Sequence, residues 1–361
     1  MRESSSKSRT RKATQNAKRV SISTKKAGRK SKYTIGIDLG GTKLAAALVD
    51  PQGKILSEAG RPTVPPELKD QDIRSGTEPT PAQVKKHVSY LIEAMADAVV
   101  EAMGENCGPS EISGVGLAAA GPMNIFKGTL DHPSNFKGWK VVPIVSLLGE
   151  ALKKRGIRAP ISFQNDAIAA ALGEGWVGRA RDCSTYAMVT VGTGIGSGVI
   201  FNGLPAQSAG MGSEWGHMLS HAPGIGTEPE RYYERSVEGM ASGTGIILRA
   251  KAKGFKGETA SDVAAAARGG DKLAQQIFEE AAEALACLFY TLSMGFHPEK
   301  FVVSGGMLAL KELFLPRAIE LYQDLIKRSY PDFKTPVQVA QLGTKAGVIG
   351  AARLPHLASQ H

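Results

Sequence analysis

Cysteine is nearly missing from this chain: three in 361 residues, Cys107, Cys183 and Cys287, far apart. No pair has a metal-ligand spacing, and an odd count argues against a disulfide framework; both fit a reducing compartment. Aromatic residues are only 6% of the chain, too few for a stacking surface that would grip single-stranded nucleic acid. No run approaches the roughly 18 apolar residues of a transmembrane helix, so no membrane partner is expected. The first residues lack the apolar core of a secretory signal and the helical stripe of a transit peptide. A cytoplasmic location is the expectation. Acids are also scarce at the start: residues 1–32 hold twelve Lys or Arg against Glu3 alone. The net charge of +10 belongs to this segment, and the rest of the chain carries −1. So charged a stretch cannot bury enough apolar surface to offset chain entropy. Residues 1–32 are expected to be a disordered, solubilising tail, able at most to make a weak contact with nucleic acid or another anionic surface.

Glycine, by contrast, is abundant: 42 residues, about 12% against a usual roughly 7%. Much of it follows apolar runs. Ile35-Gly36-Ile37-Asp38-Leu39 reads as a buried strand, then Gly40-Gly41-Thr42-Lys43 turns into a second strand ending at Asp50. Adjacent glycines let the backbone approach a bulky anion, and backbone N–H groups, a Thr hydroxyl and a Lys ammonium can meet phosphate oxygens. Asp38 beside a phosphate implies an intervening cation such as Mg²⁺. The alternative is a glycine hairpin with a solvated Lys. A second strand, Tyr186–Val191, enters Gly192-Thr193-Gly194-Ile195-Gly196-Ser197-Gly198 and returns through Val199-Ile200-Phe201. A third, Phe301-Val302-Val303-Ser304, enters Gly305-Gly306. The repeated strand–glycine turn–strand unit suggests an internal duplication with a cleft between halves.

Between these units the spacing predicts helices. Thr80-Pro81 starts one, an N-cap followed by Pro at N1, running to Met103 with Leu91, Ile92, Met95 and Val99 on one face. Residues 60–82 read as a long loop, Ser261 as the N-cap of a helix over 262–268, residues 308–330 as largely helical, and residues 337–342 as a strand. Alternating strands and helices mean α/β. In such sheets ligands lie beyond the C-terminal strand ends. Asp166 follows the strand Ile161–Gln164, where a carboxylate can take a proton from an alcohol attacking a γ-phosphate. The plain alternative for Asn165-Asp166 is a helix N-cap. Glu214 and His217, spaced i, i+3, can bond sugar hydroxyls, although Glu-x-x-His alone is more often structural.

The order of these motifs resembles the ROK family of sugar kinases and repressors, within the actin-like ATPase (ribonuclease H-like) fold. The likeness runs from about Tyr33 to Leu354. It is carried by residues 37–43, Gly116-Leu-Ala-Ala-Ala-Gly-Pro122, Asn165-Asp166, residues 192–198, Glu214-Trp-Gly-His217, Glu238-Gly-Met-Ala-Ser-Gly243, residues 304–306 and Gly347-Val-Ile-Gly-Ala-Ala352. It implies two α/β domains with a cleft between them: a small one over 33–165 completed by 345–361, and a large one over 166–344. It implies Asp166 as the base for a sugar 6-hydroxyl, and Asn165, Glu214, His217 and Glu238 as pyranose ligands, with Gly121 and Asn135 lining the pocket. Asp38 would help hold Mg²⁺. Gly40, Gly41, Thr42 and Lys43, with Gly192, Thr193, Gly194, Gly196 and Gly198, would cradle ATP phosphates, and Gly305 and Gly306 would pack near the adenosine. A homodimer is common in the family.

One departure matters. Many members follow Glu-x-x-His with a cysteine cluster binding structural zinc, but residues 218–237 here contain no cysteine. His217 and His221 alone cannot close a tetrahedral site, so no zinc is expected. Packing of Tyr232, Tyr233 and Pro223 would hold the loop instead, and Glu234 becomes an alternative to Glu238. The reading is an ATP-dependent, glucokinase-like hexose kinase. Its rival is a sugar-sensing regulator, whose N-terminal helix-turn-helix would need more pattern than the basic segment 1–32 supplies. The choice of hexose, and of ATP over polyphosphate, is open at this level.

Overall fold

The computed structural model describes residues 33–65, 78–209, 212–220 and 232–358; the expectations for residues 1–32, His221 and Pro223 lie outside them. An antiparallel meander of β1 (Tyr33–Leu39), β2 (Lys43–Val49) and β3 (Ile55–Pro62) is extended in parallel by β4 (Ile112–Ala119). A small sheet of β5 (Met123–Asn124), β6 (Thr129–Asp131) and β7 (Val141–Val142) follows. Then β8 (Ile161–Asn165) joins β4, completing the order β3-β2-β1-β4-β8. A second sheet repeats this plan with β9 (Tyr186–Val191), β10 (Ile195–Phe201), β11 (Leu204–Pro205), β12 (Lys300–Ser304) and β13 (Val337–Val339), in the order β11-β10-β9-β12-β13. The outer three strands are again antiparallel and the last two join in parallel. The duplication read from the glycine units is present in the topology.

Each sheet buries one face under its own helices. Alternation along β1 turns Ile35, Ile37 and Leu39 toward Leu91, Met95 and Val99 of α1 (Pro81–Met103) and Leu148 and Leu152 of α2 (Ile144–Lys154). Thr80 caps α1 in a reciprocal box with Gln83. The second sheet packs Val189 and Val191 against α4 (Val237–Ala241), α5 (Gly243–Ala252), α6 (Ala260–Arg268), α7 (Lys272–Phe296) and α8 (Leu315–Ser329).

The other faces meet α3 (Asp166–Val177) and α9 (Ala346–Ala358), which lie between the sheets. Glycine makes this possible. A Cβ on Gly36 or Gly116 would strike the backbone of α9 at Val348 or Ala351. One on Gly173 or Gly350 would strike the partner helix backbone at Ala346 or Ala169. On the far side, a Cβ on Gly198 would lie 2.7 Å from that of Ala171 in α3. The layers thus run first sheet, α9, α3, second sheet.

Four sequence expectations change. Residues 60–62 finish β3, because an edge strand tolerates Pro62. Thr259, not Ser261, caps α6, since its hydroxyl and the Asp262 carboxylate satisfy each other's backbone N–H groups. The helical stretch after Leu308 breaks at Phe314, ahead of Pro316, which has no N–H to carry the ladder through. The strand from Val337 stops at Val339, because the N–H groups of Gln341 and Leu342 donate instead to the buried Glu174 carboxylate at 2.9 and 2.7 Å.

Candidate active site

Asp38 and Asp166 stand at the ends of β1 and β8. Strand alternation sets Asp38 on the same face as Gly36, so its carboxyl rests against Gly347 at the start of α9, where a Cβ would collide with it. Asn165 caps α3: its Oδ1 accepts from Ala167 N–H at 2.9 Å and Ile168 N–H at 3.3 Å. That leaves Asp166 as the first helical residue, with one oxygen accepting from Ala167 N–H at 2.8 Å. The N-cap reading holds for Asn165, and Asp166 lies in the first turn with its charge close enough to Asp38 to raise it.

The electrostatics tie these groups into one cluster. Burial, reinforced by the neighbouring Asp166 charge, pushes the Asp38 carboxyl up to about 6. Burial raises Asp166 as well, against its backbone hydrogen bonds. Glu214 is raised by partial removal from water; His217 pulls it back, and Asp166 and Glu238 add to the rise. Asp166, Glu214, His217 and Glu238 therefore share one neighbourhood. Two carboxyls that resist ionisation side by side, both oxygen donors, fit Mg²⁺, which takes one or two carboxylates and completes its shell with phosphate oxygens and water. Among the described residues no group of three or more His, Cys, Asp or Glu is placed to hold a metal ion.

Glu238 lies on the second glycine turn: its Oε2 accepts from Ile195 N–H at 2.7 Å and sits 2.5 Å from where a Cβ of Gly194 would be. Glu234 is exposed on the helical turn Tyr232–Arg235. Tyr232, expected to pack over the loop, is 52% exposed. Backbone pairing ties the loop's described ends, residues 218–220 and 235–237. Ser220 N–H donates to Arg235 at 2.9 Å, Val237 N–H donates to Met218 at 2.9 Å, and Leu219 bridges Ser236. Ser236 then caps α4, accepting from Gly239 N–H at 3.0 Å. This ladder joins the Glu214–His217 turn to the helix of Glu238; the Tyr233 carbonyl accepts from Ser236 N–H at 3.0 Å, and its phenol lies near Ser242 and Glu238.

The glycine turns divide by role. Gly192 to Gly194 form a loop closed by Gly192 N–H on Gly194 at 2.9 Å. The N-terminus of α5 docks on it, with Gly243 N–H donating to Gly192 at 2.8 Å and Thr244 N–H to Thr193 at 3.3 Å. Gly306 adjoins Gly192, and Gly305, at φ 103°, folds against Val191 where no side chain fits. Gly196 and Gly198, grouped with this loop on sequence, are strand residues inside β10 whose bare faces admit α3 and Thr190; close packing accounts for them. In the first turn, Gly40 N–H donates to Lys43 at 3.2 Å, and Thr42 and Lys43 are exposed. Gly41 faces Asn135, whose Cγ would be 3.2 Å from a Cβ there. Gly121 is half-buried just beyond β4. Sequence reasoning passed over Gly347 beneath Asp38 and Gly243-Thr244 on the second loop, though Gly347 and Gly243 lie within motifs it had singled out.

The chain is similar to known proteins along most of its length. The pattern of the ROK family matches residues 34–357. A glucokinase of Streptomyces coelicolor is 31% identical over 345 residues, covering 89% of this chain and 96% of that protein. The crystal structure of a ROK hexokinase from Thermus thermophilus superposes with a TM-score of 0.73 at 28% identity, over 91% of this chain and 99% of its own. A ROK family glucokinase from Streptomyces griseus, in complex with glucose and AMPPNP, gives a TM-score of 0.63 at 27% identity, over 91% and 100%.

Proposed function

The chain belongs to the ROK family, and on that footing we propose that it is an ATP-dependent kinase of a free hexose, transferring phosphate to the 6-hydroxyl. The observation that carries this reading is the convergence of Asp38 and Asp166, at two strand ends, with Glu214 and Glu238, on the elements packed beside the second glycine turn. Asp166 is the base: it accepts the hydroxyl proton as the oxygen meets the γ-phosphate. Asn165, its acceptor oxygen committed to α3, turns its amide N–H donors to the sugar. Glu214, His217 and Glu238 bind ring hydroxyls, with Gly121 and Asn135 against the sugar. Gly40 to Lys43 and Gly192 to Gly194 hold the phosphates of ATP, and Gly305-Gly306 adjoin the adenosine. Mg²⁺ at Asp38, with Asp166 beside it, would offset charge on the transferring phosphoryl group. The protein's own contribution is alignment of hydroxyl and phosphate, with water kept out.

The test is ADP release from Mg-ATP across glucose, mannose, fructose, N-acetylglucosamine and N-acetylmannosamine. A clear rate with one sugar is the expected result, and it names the substrate. No rate with any, in protein that still binds one of them, would overturn the assignment in favour of a sugar-sensing regulator or another phosphate donor.

A further inference from the structure

The turn that faces phosphate and the loop that faces sugar are joined through a side chain that the catalytic reading does not use. His87 lies on α1, 1% exposed. Its Nδ1 accepts from Trp139 Nε1–H at 3.2 Å. That assignment leaves the proton on Nε2, which donates to the Thr63 carbonyl at 2.8 Å. Thr63, itself fully buried, reaches the first glycine turn twice: its N–H donates to Thr42 at 3.1 Å and its hydroxyl to Gly41 at 2.9 Å. On the other side, Trp139 stacks on Phe136 at 4.7 Å, and Phe136 meets the His87 ring edge-on at 5.5 Å. Phe136 follows Asn135, and Asn135 lies against Gly41. The contacts form a closed ring from Gly41 through Thr63, His87, Trp139, Phe136 and Asn135 back to Gly41.

We propose that His87 is a positioning residue that sets the Gly41–Thr42 turn and the Asn135 loop as one unit, so that sugar and phosphate sites are pre-formed together. The polarity of the ring serves this. One imidazole offers an acceptor and a donor in fixed relation, one to each loop, inside an apolar setting where either bond is costly to lose. The proposal rests on the kinase reading for what the two loops bind, but not for the linkage between them.

The test uses His87→Leu, His87→Gln and Trp139→Phe in the full chain. Steady-state kinetics are paired with amide hydrogen exchange at residues 41–42 and 134–136 without ligand. His87→Leu should raise KM for both sugar and Mg-ATP about tenfold, the scale of one lost buried hydrogen bond, and leave kcat within about threefold. Exchange should quicken at both stretches together. His87→Gln, whose carboxamide offers an acceptor and a donor at similar separation, should recover most of the loss. Trp139→Phe keeps the stack and drops only the N–H, and should raise the sugar KM about threefold. Unchanged KM values and unchanged exchange in His87→Leu, with only a lowered melting temperature, would overturn the proposal and leave a packing role. If His87→Leu fails to fold, Trp139→Phe decides by the same two readouts. A wild-type protein inactive on every sugar sinks the kinase reading, and the exchange data still decide the linkage.

Discussion

Asp38 holds its proton longer in the folded chain than in the unfolded one, because burial and Asp166 raise it from 3.8 to about 6. The folded state therefore binds the extra proton between about pH 4 and 6. Stability falls as pH rises through that window and stays lower by about 3 kcal/mol above it. Asp38→Asn in magnesium-free protein should then be more stable than wild type at pH 8, by up to about 3 kcal/mol, with a flatter pH profile in denaturant melts. It should also lose turnover. A less stable variant at pH 8 would mean that the carboxylate is already compensated in the resting protein. Asp166→Ala should lose at least about 100-fold in kcat, the lower range for a general base, and keep its sugar affinity by calorimetry. Retention of more than about a tenth of the activity would remove Asp166 from that role.

At the scale of elements, one residue type performs two tasks that a sequence does not separate. Gly192 and Gly194 turn a loop; Gly196 and Gly198, two and four residues further on, admit a helix. The pattern Gly-x-Gly-x-Gly is the same for both, and only the position of α3 distinguishes them. The strands and long helices were legible because alternation and the 3.6-residue stripe are local, and so were the Thr80 cap and the Asn165-Asp166 junction. Thr259 was missed because its partner, Asp262, had to be weighed with it. His87 and Trp139 were missed because they meet across 52 positions. Two substitutions check the elements. Gly350→Ala drives a methyl into the α3 backbone at Ala169 and should cost about 3 kcal/mol or more in a denaturant melt. Ser236→Ala removes the α4 cap and should cost about 1 kcal/mol, with a raised sugar KM because Glu238 rides on that helix.

At the scale of the whole molecule, the sequence supports two statements of different kinds. The repeat of strand–glycine turn–strand foretold two sheets of one plan, and the order of both is the same. Charge, by contrast, separates the first 32 residues from everything else. Removing residues 1–32 should abolish retention on a cation exchanger at neutral pH and leave kcat and KM unchanged, since every residue assigned to the site lies beyond them. Altered kinetics in the shortened protein would give that segment a part in the reaction.

Where α3 crosses α9, main chain lies on main chain, with no side chains to interlock at Gly173 and Gly350. Further along both helices Trp176 meets His356, and Arg353 lies over the Trp176 ring, so side chains fix the crossing there. Asp166 lies three residues from Ala169 on one side of the crossing, and the Asp38 carboxyl rests against Gly347, three residues from Gly350, on the other. The spacing of these two carboxyls is thus set by main chain seated on main chain, which repacking of side chains cannot adjust.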